Sequence, residues 1–286
     1  MWAATANLFA QRTERPDMPP GTPGPEARAS SKEFVRSVDR AFAIVRTFGR
    51  DCPTLTLSQV AERTGLTRAS ARRFLLTLQS LGYIGSDGRQ FFLRPRILDL
   101  GFAYLSSVPV FDVVETHMEA MVQQLQESSS ASVLDGTDVI YTVRVPTKRI
   151  MSVQIDVGTR LPAYATSMGR VLLANLTDDQ LSVYFLQAEL KPLAPTTVTR
   201  EDRLRDLLGQ VREQGWCLVD QELEVGVRSV AVPLHDSAGR VFAAMNVSTN
   251  ATRVPADRLL AEYLPLLRKT GLAIEEDIRA RRLTAI

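Results

Sequence analysis

At 286 residues the chain exceeds the usual span of one domain, about 100 to 150 residues, so two domains are expected. Cysteines 52 and 217 and histidines 117 and 235 have no metal-ligand spacing, which argues against a zinc site, and no cofactor is expected. No apolar run approaches the roughly 18 residues needed to cross a bilayer, and the start of the chain lacks a cleavable leader pattern, so a cytoplasmic protein with no membrane partner is expected.

The net charge of +2 hides an uneven division. Residues 30–105 carry 12 Lys and Arg against 6 Asp and Glu, whereas residues 106–286 carry 19 against 23. A basic first domain suits phosphate contacts; a solvated charged face is the competing reading.

Residues 1–30, with five prolines from Pro16 to Pro25 and almost no large apolar side chain after Phe9, read as a disordered tail. A first helix is predicted over Ser37 to Phe48, where Val38, Phe42, Ile44, Val45 and Phe48 mostly keep helical spacing before Asp51 and Pro53 end it. A second covers Leu57 to Thr64 with Thr56 as its cap, and Gly65 supplies a sharp turn. A third starts after Thr67 and runs to about Leu81, with Ala71, Phe74, Leu75 and Leu78 inward and Ala69, Arg72 and Arg73 outward. The string YIGSDGRQFFL then reads as strand, Asp-Gly turn, strand. Three helices followed by a hairpin make a winged helix-turn-helix over residues 31–94.

In QVAERTGLTRASARRFLLTL, Ala61 lies four residues before Gly65, so the helices can approach closely, with Val60, Leu66, Ala71 and Phe74 sealing a small core. The second helix of such a motif enters the major groove of double-stranded DNA. Thr67, Arg68, Ser70, Arg72 and Arg73 are the candidate reading residues, since arginine can grip guanine through two hydrogen bonds. Arg89 and Arg94, at the wing, suit backbone or minor-groove contacts.

Residues 95–108 read as an apolar linker helix, which Pro109 interrupts. A longer helix follows from Phe111 to about Gln126, its stripe of Phe111, Val114, Met118, Met121 and Leu125 fitting a core. Ser128 to Ser130 reads as a helix end. Strands are predicted at Ala131 to Leu134, Val139 to Val145 and Met151 to Val157, then helices at Ser167 to Leu176, Asp178 to Leu186 and Glu201 to Gln214. Two more strands, Val230 to Leu234 and Val241 to Ser248, flank a turn at Asp236 to Gly239, and Pro255 opens a final amphipathic helix. Residues 109–286 are therefore an α+β domain, an antiparallel sheet covered by helices.

Two stretches, GTRLPAYATSMGRVLLANL from Gly158 and DQELEVGVRSVAVPLHDSAGRVFAAMNVS from Asp220, resemble the IclR family of bacterial transcriptional regulators, and the resemblance extends over residues 35–282. VRVPTKRIMSV and the first stretch look most like the branch that regulates protocatechuate and 4-hydroxybenzoate breakdown through the β-ketoadipate pathway. The resemblance implies a GAF-like effector domain, homodimers that can pair into tetramers, and a small organic acid of the β-ketoadipate, protocatechuate or 4-hydroxybenzoate class as effector. It places the pocket on Ile150, Val153, Leu161, Ser167, Met168, Val227, Ser229, Asn246 and Ser248. Val219 stands where the family commonly has an acidic or serine residue. Of Arg144, Arg149 and Arg160, each a candidate partner for an acidic effector, at least two are expected to be simply solvated.

An enzyme would need a nucleophile with a base and orienting group, or metal ligands, at a recognisable spacing, and none occurs. A purely architectural DNA-binding protein would not need residues 109–286. The expected mechanism is linkage between effector and operator affinity, or contact with RNA polymerase. Activation and repression both stay open, the branch resemblance favouring activation.

Overall fold

A computed structural model describes residues 33–147 and 155–284. The expected tail over residues 1–30 lies outside them. The described residues divide into two units, 33–104 and 105–284, a division that falls inside the segment expected to link the domains.

In the first unit α1 (Arg36–Val45), α2 (Leu57–Thr64) and α3 (Arg68–Ser80) are followed by the hairpin β2 (Ile84–Ser86) and β3 (Gln90–Leu93). A strand absent from the sequence reading, β1 (Thr54–Thr56), joins them in the order β1-β3-β2. Three residues are too few to show an alternation. Thr56 and Gln59 close a capping box on α2: Thr56 Oγ1 accepts from the Gln59 N–H, and Gln59 Oε1 takes the Thr56 N–H at 2.8 Å. Gly65 ends α2 at φ +65°, and nothing lies within 4 Å of where its Cβ would be, so the turn needs glycine for its left-handed backbone, not for space.

The core of this unit is Ile44, Phe48, Leu55, Val60, Ala61, Ala71, Leu75, Leu78 and Ile84, with Leu66 and Phe74 partly buried against it. From α1 itself only Ile44 is buried; Val38 and Phe42, also at helical spacing, are about half exposed. A single-turn 3-10 helix leads into α4 (Leu98–Ser106), which is strongly apolar yet buries no residue: Leu98, Leu100, Phe102 and Tyr104 are all exposed.

The second unit contains α5 (Val110–Leu125) and a six-stranded antiparallel sheet in the order β6-β5-β4-β9-β8-β7. Its strands are β4 (Ser128–Asp135), β5 (Asp138–Val145), β6 (Arg160–Pro162), β7 (Cys217–Asp220), β8 (Val227–His235) and β9 (Val241–Asn250). The longer of the remaining helices are α6 (Ser167–Ala174), α7 (Asp178–Gln187), α8 (Glu201–Gln214) and α9 (Leu264–Ala280), the last entered through a helical turn at Ala256–Arg258 and a π-helical segment at Leu259–Tyr263. No single helix among the described residues is long and apolar enough to cross a membrane.

Ser128 to Ser130 open β4 and do not end a helix; α5 stops at Leu125 because Gln126 takes φ +56°. The strand expected from Met151 lies mostly outside the described residues, and residues 155–157 are not strand. β7 was not anticipated.

Alternation along the strands separates two cores. Ala131, Val143, Val230, Val232, Leu234, Met245 and Val247 pack with α5 and α9 on one face. Val139, Tyr141, Cys217, Val219, Ala231 and Ala244 pack on the other with residues of α6, α7 and α8. Gly169 lets α6 lie against the turn Ala163–Ala165: a Cβ there would sit 2.2 Å from the Ala163 carbonyl oxygen.

Candidate functional site

α3 buries Ala71, Leu75 and Leu78, which leaves Ala69, Arg72, Arg73 and Leu76 on its exposed side. Thr67 caps the helix, its hydroxyl oxygen accepting the Ser70 N–H at 3.2 Å, and Ser70 is half-buried. Two of the expected reading residues thus also build the helix start. Arg68, Arg72, Arg73, Arg89 and Arg94 are exposed, and none forms an ion pair among the described residues. Arg89 is held out beside the wing turn, where Asp87 accepts the N–H groups of Arg89 and Gln90; those bonds hold the Asp87 carboxyl below its usual range. Gly85 makes room for the wing packing, because a Cβ would meet the Phe92 ring at 2.4 Å.

The second unit has a cleft between α6 and the sheet. Its lining is Ser128, Tyr141, Arg144, Ile155, Ala165, Thr166, Ser167, Val219, Leu223, Val227, Ser229, Asn246 and Ser248. Strand register explains the set. One row of cross-strand neighbours runs Val219, Ser229, Ser248, Ser128, and the next runs Ala231, Asn246, Ser130, Arg144. Of the expected pocket residues, Ser167, Val227, Ser229, Asn246 and Ser248 meet here. Val219 lines the wall as an apolar residue. Leu161 and Met168 do not line the cleft: both are buried in the core beneath it, Met168 taking the Ser132 hydroxyl on its sulfur. Ile150 and Val153, like Arg149, lie outside the described residues.

The polar side chains around the cleft can all donate a hydrogen bond, and the hydroxyls can accept one as well. Ser167 Oγ and Ser229 Oγ share a hydrogen bond of 2.8 Å. Asn246 Oδ1 accepts the Ser130 N–H at 3.1 Å, which leaves the Asn246 amide N–H groups without a partner among the described residues. At the start of α6 the Thr166 hydroxyl oxygen takes the Gly169 N–H, and the N–H groups of Ser167 and Met168 have no intrahelical acceptor. No Asp or Glu is among the described lining residues.

Arg144 is the only cation among the described residues of the lining. It is half-buried, donates one hydrogen bond, to Ser130 Oγ at 3.1 Å, and forms no ion pair among the described residues. Burial lowers its pKa, against the opposing charges of Tyr141 and Asp156. Burial also pushes the Tyr141 hydroxyl up to about 12, so it is a donor at neutral pH. Arg160, in contrast, is taken by Asp135 at 2.6 Å and Asp138 at 3.3 Å. Arg228 grips Asp220 with two bonds and donates to the Val254 carbonyl, tying β8 to β7. His235 ends β8 in a hydrogen bond to Glu275 on α9.

Sequence reasoning missed Ser128, Ser130, Tyr141 and Thr166. Arg144 was named only as one of three arginines, and no spacing rule singles it out.

A three-helix head with a wing, bearing on α3 exposed arginines that form no ion pair among the described residues, in one chain with a second unit that holds a donor-rich cleft, is the make-up of a DNA-binding transcriptional regulator. Residues 37–88 match the IclR helix-turn-helix domain, and residues 102–276 match the C-terminal domain of bacterial transcriptional regulator IclR. The chain belongs to the IclR family. It is 43% identical over 243 residues to the Pca regulon regulatory protein of Pseudomonas putida, covering 85% of this chain and 84% of that one. It is 34% identical over 246 residues to the p-hydroxybenzoate hydroxylase transcriptional activator of Acinetobacter baylyi, covering 84% and 91%. Among solved structures, a transcriptional regulator from Rhodococcus sp. RHA1 is 47% identical with a TM-score of 0.77, over 87% of this chain and all of that one. An IclR homologue from Microbacterium hydrocarbonoxydans, complexed with 4-hydroxybenzoate, is 25% identical with a TM-score of 0.74, over 85% and 99%.

Proposed function

We propose that this chain switches on genes for aromatic-acid breakdown when a small organic acid of the protocatechuate, 4-hydroxybenzoate or β-ketoadipate class occupies the cleft. The observation that carries the reading is the cleft's chemistry: hydroxyl, amide and backbone N–H donors between apolar walls, with no carboxylate among the described lining residues. The same geometry suits an acid and penalises a base. The P. putida and A. baylyi relatives, and the 4-hydroxybenzoate complex of the M. hydrocarbonoxydans homologue, support that class; the A. baylyi activator supports the direction.

Operator DNA is read by α3, with Arg68, Arg72 and Arg73 as reading residues and Arg89 and Arg94 as flanking contacts. The working form is a homodimer or a pair of dimers. The exposed apolar residues of α1 and α4, Val38, Phe42, Leu98 and Phe102, support self-association, since a second copy would cover them.

Calorimetric titration of the full chain with the three acids tests the cleft. Footprinting on DNA selected from a random pool, with and without acid, tests the linkage. At least one acid is expected to bind, to change the footprint or affinity, and to raise transcription from a reporter carrying that DNA. Three acids without effect on heat, footprint and transcription would overturn the effector class; a falling reporter would reverse the direction.

A further inference from the structure

Arg144 reaches the cleft because of an irregularity in β5. On this strand Val139 and Tyr141 face the α6 side of the sheet, whereas Val143 and Val145 face the α5 side. The register explains the change: Ser132 pairs with Tyr141 and Ala131 with Val143, so Thr142 is an extra residue opposite β4. A bulge of this kind shifts the side-chain alternation by one position. Without it Tyr141 and Arg144, three apart, would point to opposite faces; with it they share one, and each is felt in the other's ionisation.

Both are under-used there. Arg144 has five N–H donors and spends one on Ser130. Tyr141 is only 4% exposed and lines the cleft, yet its hydroxyl has no hydrogen-bond partner among the described residues. A guanidinium with four donors to spare and a phenol with no acceptor, at a place where the described lining supplies no carboxylate, call for an acceptor from outside.

The far side of the cleft is also placed by the sheet. Arg144 leans over β4 to reach Ser130, and Ser229, paired with Ser167, lies on β8, two strands away across β9. Two strand spacings are roughly 10 Å. That is room for one six-membered ring with a hydrogen bond at each end, between walls that include Val227, Leu223 and Ile155.

Building on the effector reading, we infer that the cleft holds a hydroxylated aromatic acid in one orientation, its carboxylate on Arg144 and Tyr141 and its ring hydroxyl on the Ser167–Ser229 pair. Arg144 is then the residue that selects an acid, and Ser229 the one that selects a hydroxyl.

The test uses full-length wild type, Arg144→Gln, Arg144→Lys, Tyr141→Phe and Ser229→Ala, titrated calorimetrically with 4-hydroxybenzoate, 4-hydroxybenzamide and benzoate. Wild type is expected to prefer the acid to its amide by about tenfold or more, the range of a hydrogen bond to a charged group. Arg144→Gln should lose that preference, with Arg144→Lys in between. Tyr141→Phe should weaken the acid by about threefold or more and leave the amide closer to wild type. Ser229→Ala should keep the preference for acid over amide and lose that for 4-hydroxybenzoate over benzoate.

An Arg144→Gln variant that binds the acid as wild type does would overturn the inference. So would a wild type indifferent to acid and amide, a measurement that needs no variant to fold. Wild-type binding to β-ketoadipate alone would overturn the aromatic orientation and leave the effector reading standing. No response to β-ketoadipate, protocatechuate or 4-hydroxybenzoate would remove that reading itself.

Discussion

Arginine does opposite work in the two halves of this molecule. In the head, Arg68, Arg72, Arg73, Arg89 and Arg94 are exposed and without ion pairs among the described residues. In the effector unit, Arg160, Arg170, Arg228 and Arg253 each grip a carboxylate. The same side chain is left available for an outside anion where no acid pairs with it and is a fastener where one does. Arg144 differs from these four: it lines the cleft and forms no ion pair among the described residues. The lesson is that residue type assigns a role only once its neighbours are known.

The largest effect expected from breaking this contrast is in the head. Replacing Arg72 and Arg73 together with alanine should cost about 2 to 6 kcal/mol of specific DNA affinity, two base-reading pairs' worth. Unfolding and acid binding should stay as in wild type, because both side chains project away from the core. An unchanged footprint would show that neither arginine reads DNA.

Removing a fastener should act on the fold instead. Arg170 and Glu222 are both buried and meet in two hydrogen bonds of 2.7 and 2.5 Å, while Glu222 also accepts the Val198 N–H. Glu222→Gln leaves the guanidinium buried beside a neutral amide, at a cost of about 3 to 5 kcal/mol. Urea unfolding measures it. A loss below about 1 kcal/mol would mean that water reaches Arg170 and takes over from the carboxylate.

Glycines sharpen the comparison between packing and backbone. Gly169→Ala brings a methyl into the Ala163 backbone and should destabilise the effector unit by about 2 to 3 kcal/mol. Gly209→Ala, within α8 with nothing inside 4 Å, should be neutral or stabilise by up to about 1 kcal/mol. Equal melting shifts for the two would contradict the close approach of α6.

The smallest effect is a pH dependence. The hydrogen bond that the His235 ring donates to the Glu275 carboxylate raises the His235 pKa, with burial opposing it. A raised folded value means that the stabilisation is complete below the ordinary histidine value of 6.5 and is lost as the pH climbs through the raised one. His235 is 37% exposed, so screening leaves only a few tenths of a kcal/mol, roughly. The melting difference between wild type and Glu275→Gln should therefore be larger at pH 5.5 than at pH 8.5, and the reverse order would refute the pairing.

How far each half was legible follows from where its information sits. The head's three helices, its left-handed Gly65 and its wing were readable because each signal is local: a cap at Thr56, a glycine turn at Gly65, an Asp-Gly turn at Asp87-Gly88. Only β1 escaped. In the effector unit the long elements were readable from their periodicity, but the cleft was not. Ser167, Val227, Ser229, Asn246 and Ser248 came to notice through the family resemblance. Leu161 and Met168, named with them, belong to the core behind the wall. Ser128 and Ser130 read as a helix end because their burial depends on partners more than 110 residues away in β9.

By itself, then, the sequence determined the family, the order of its elements, the turn at Gly65 and the outward face of α3, all of which depend on residues a few positions apart. The tertiary structure alone decided which side chains share the cleft. The register of β4 against β9 aligned Ser130 with Asn246, and one extra residue at Thr142 turned Arg144 toward the same space. Alternation along a strand has a period of two, so a single inserted residue reverses every inference drawn from it, and nothing in the residues around Thr142 announces that insertion.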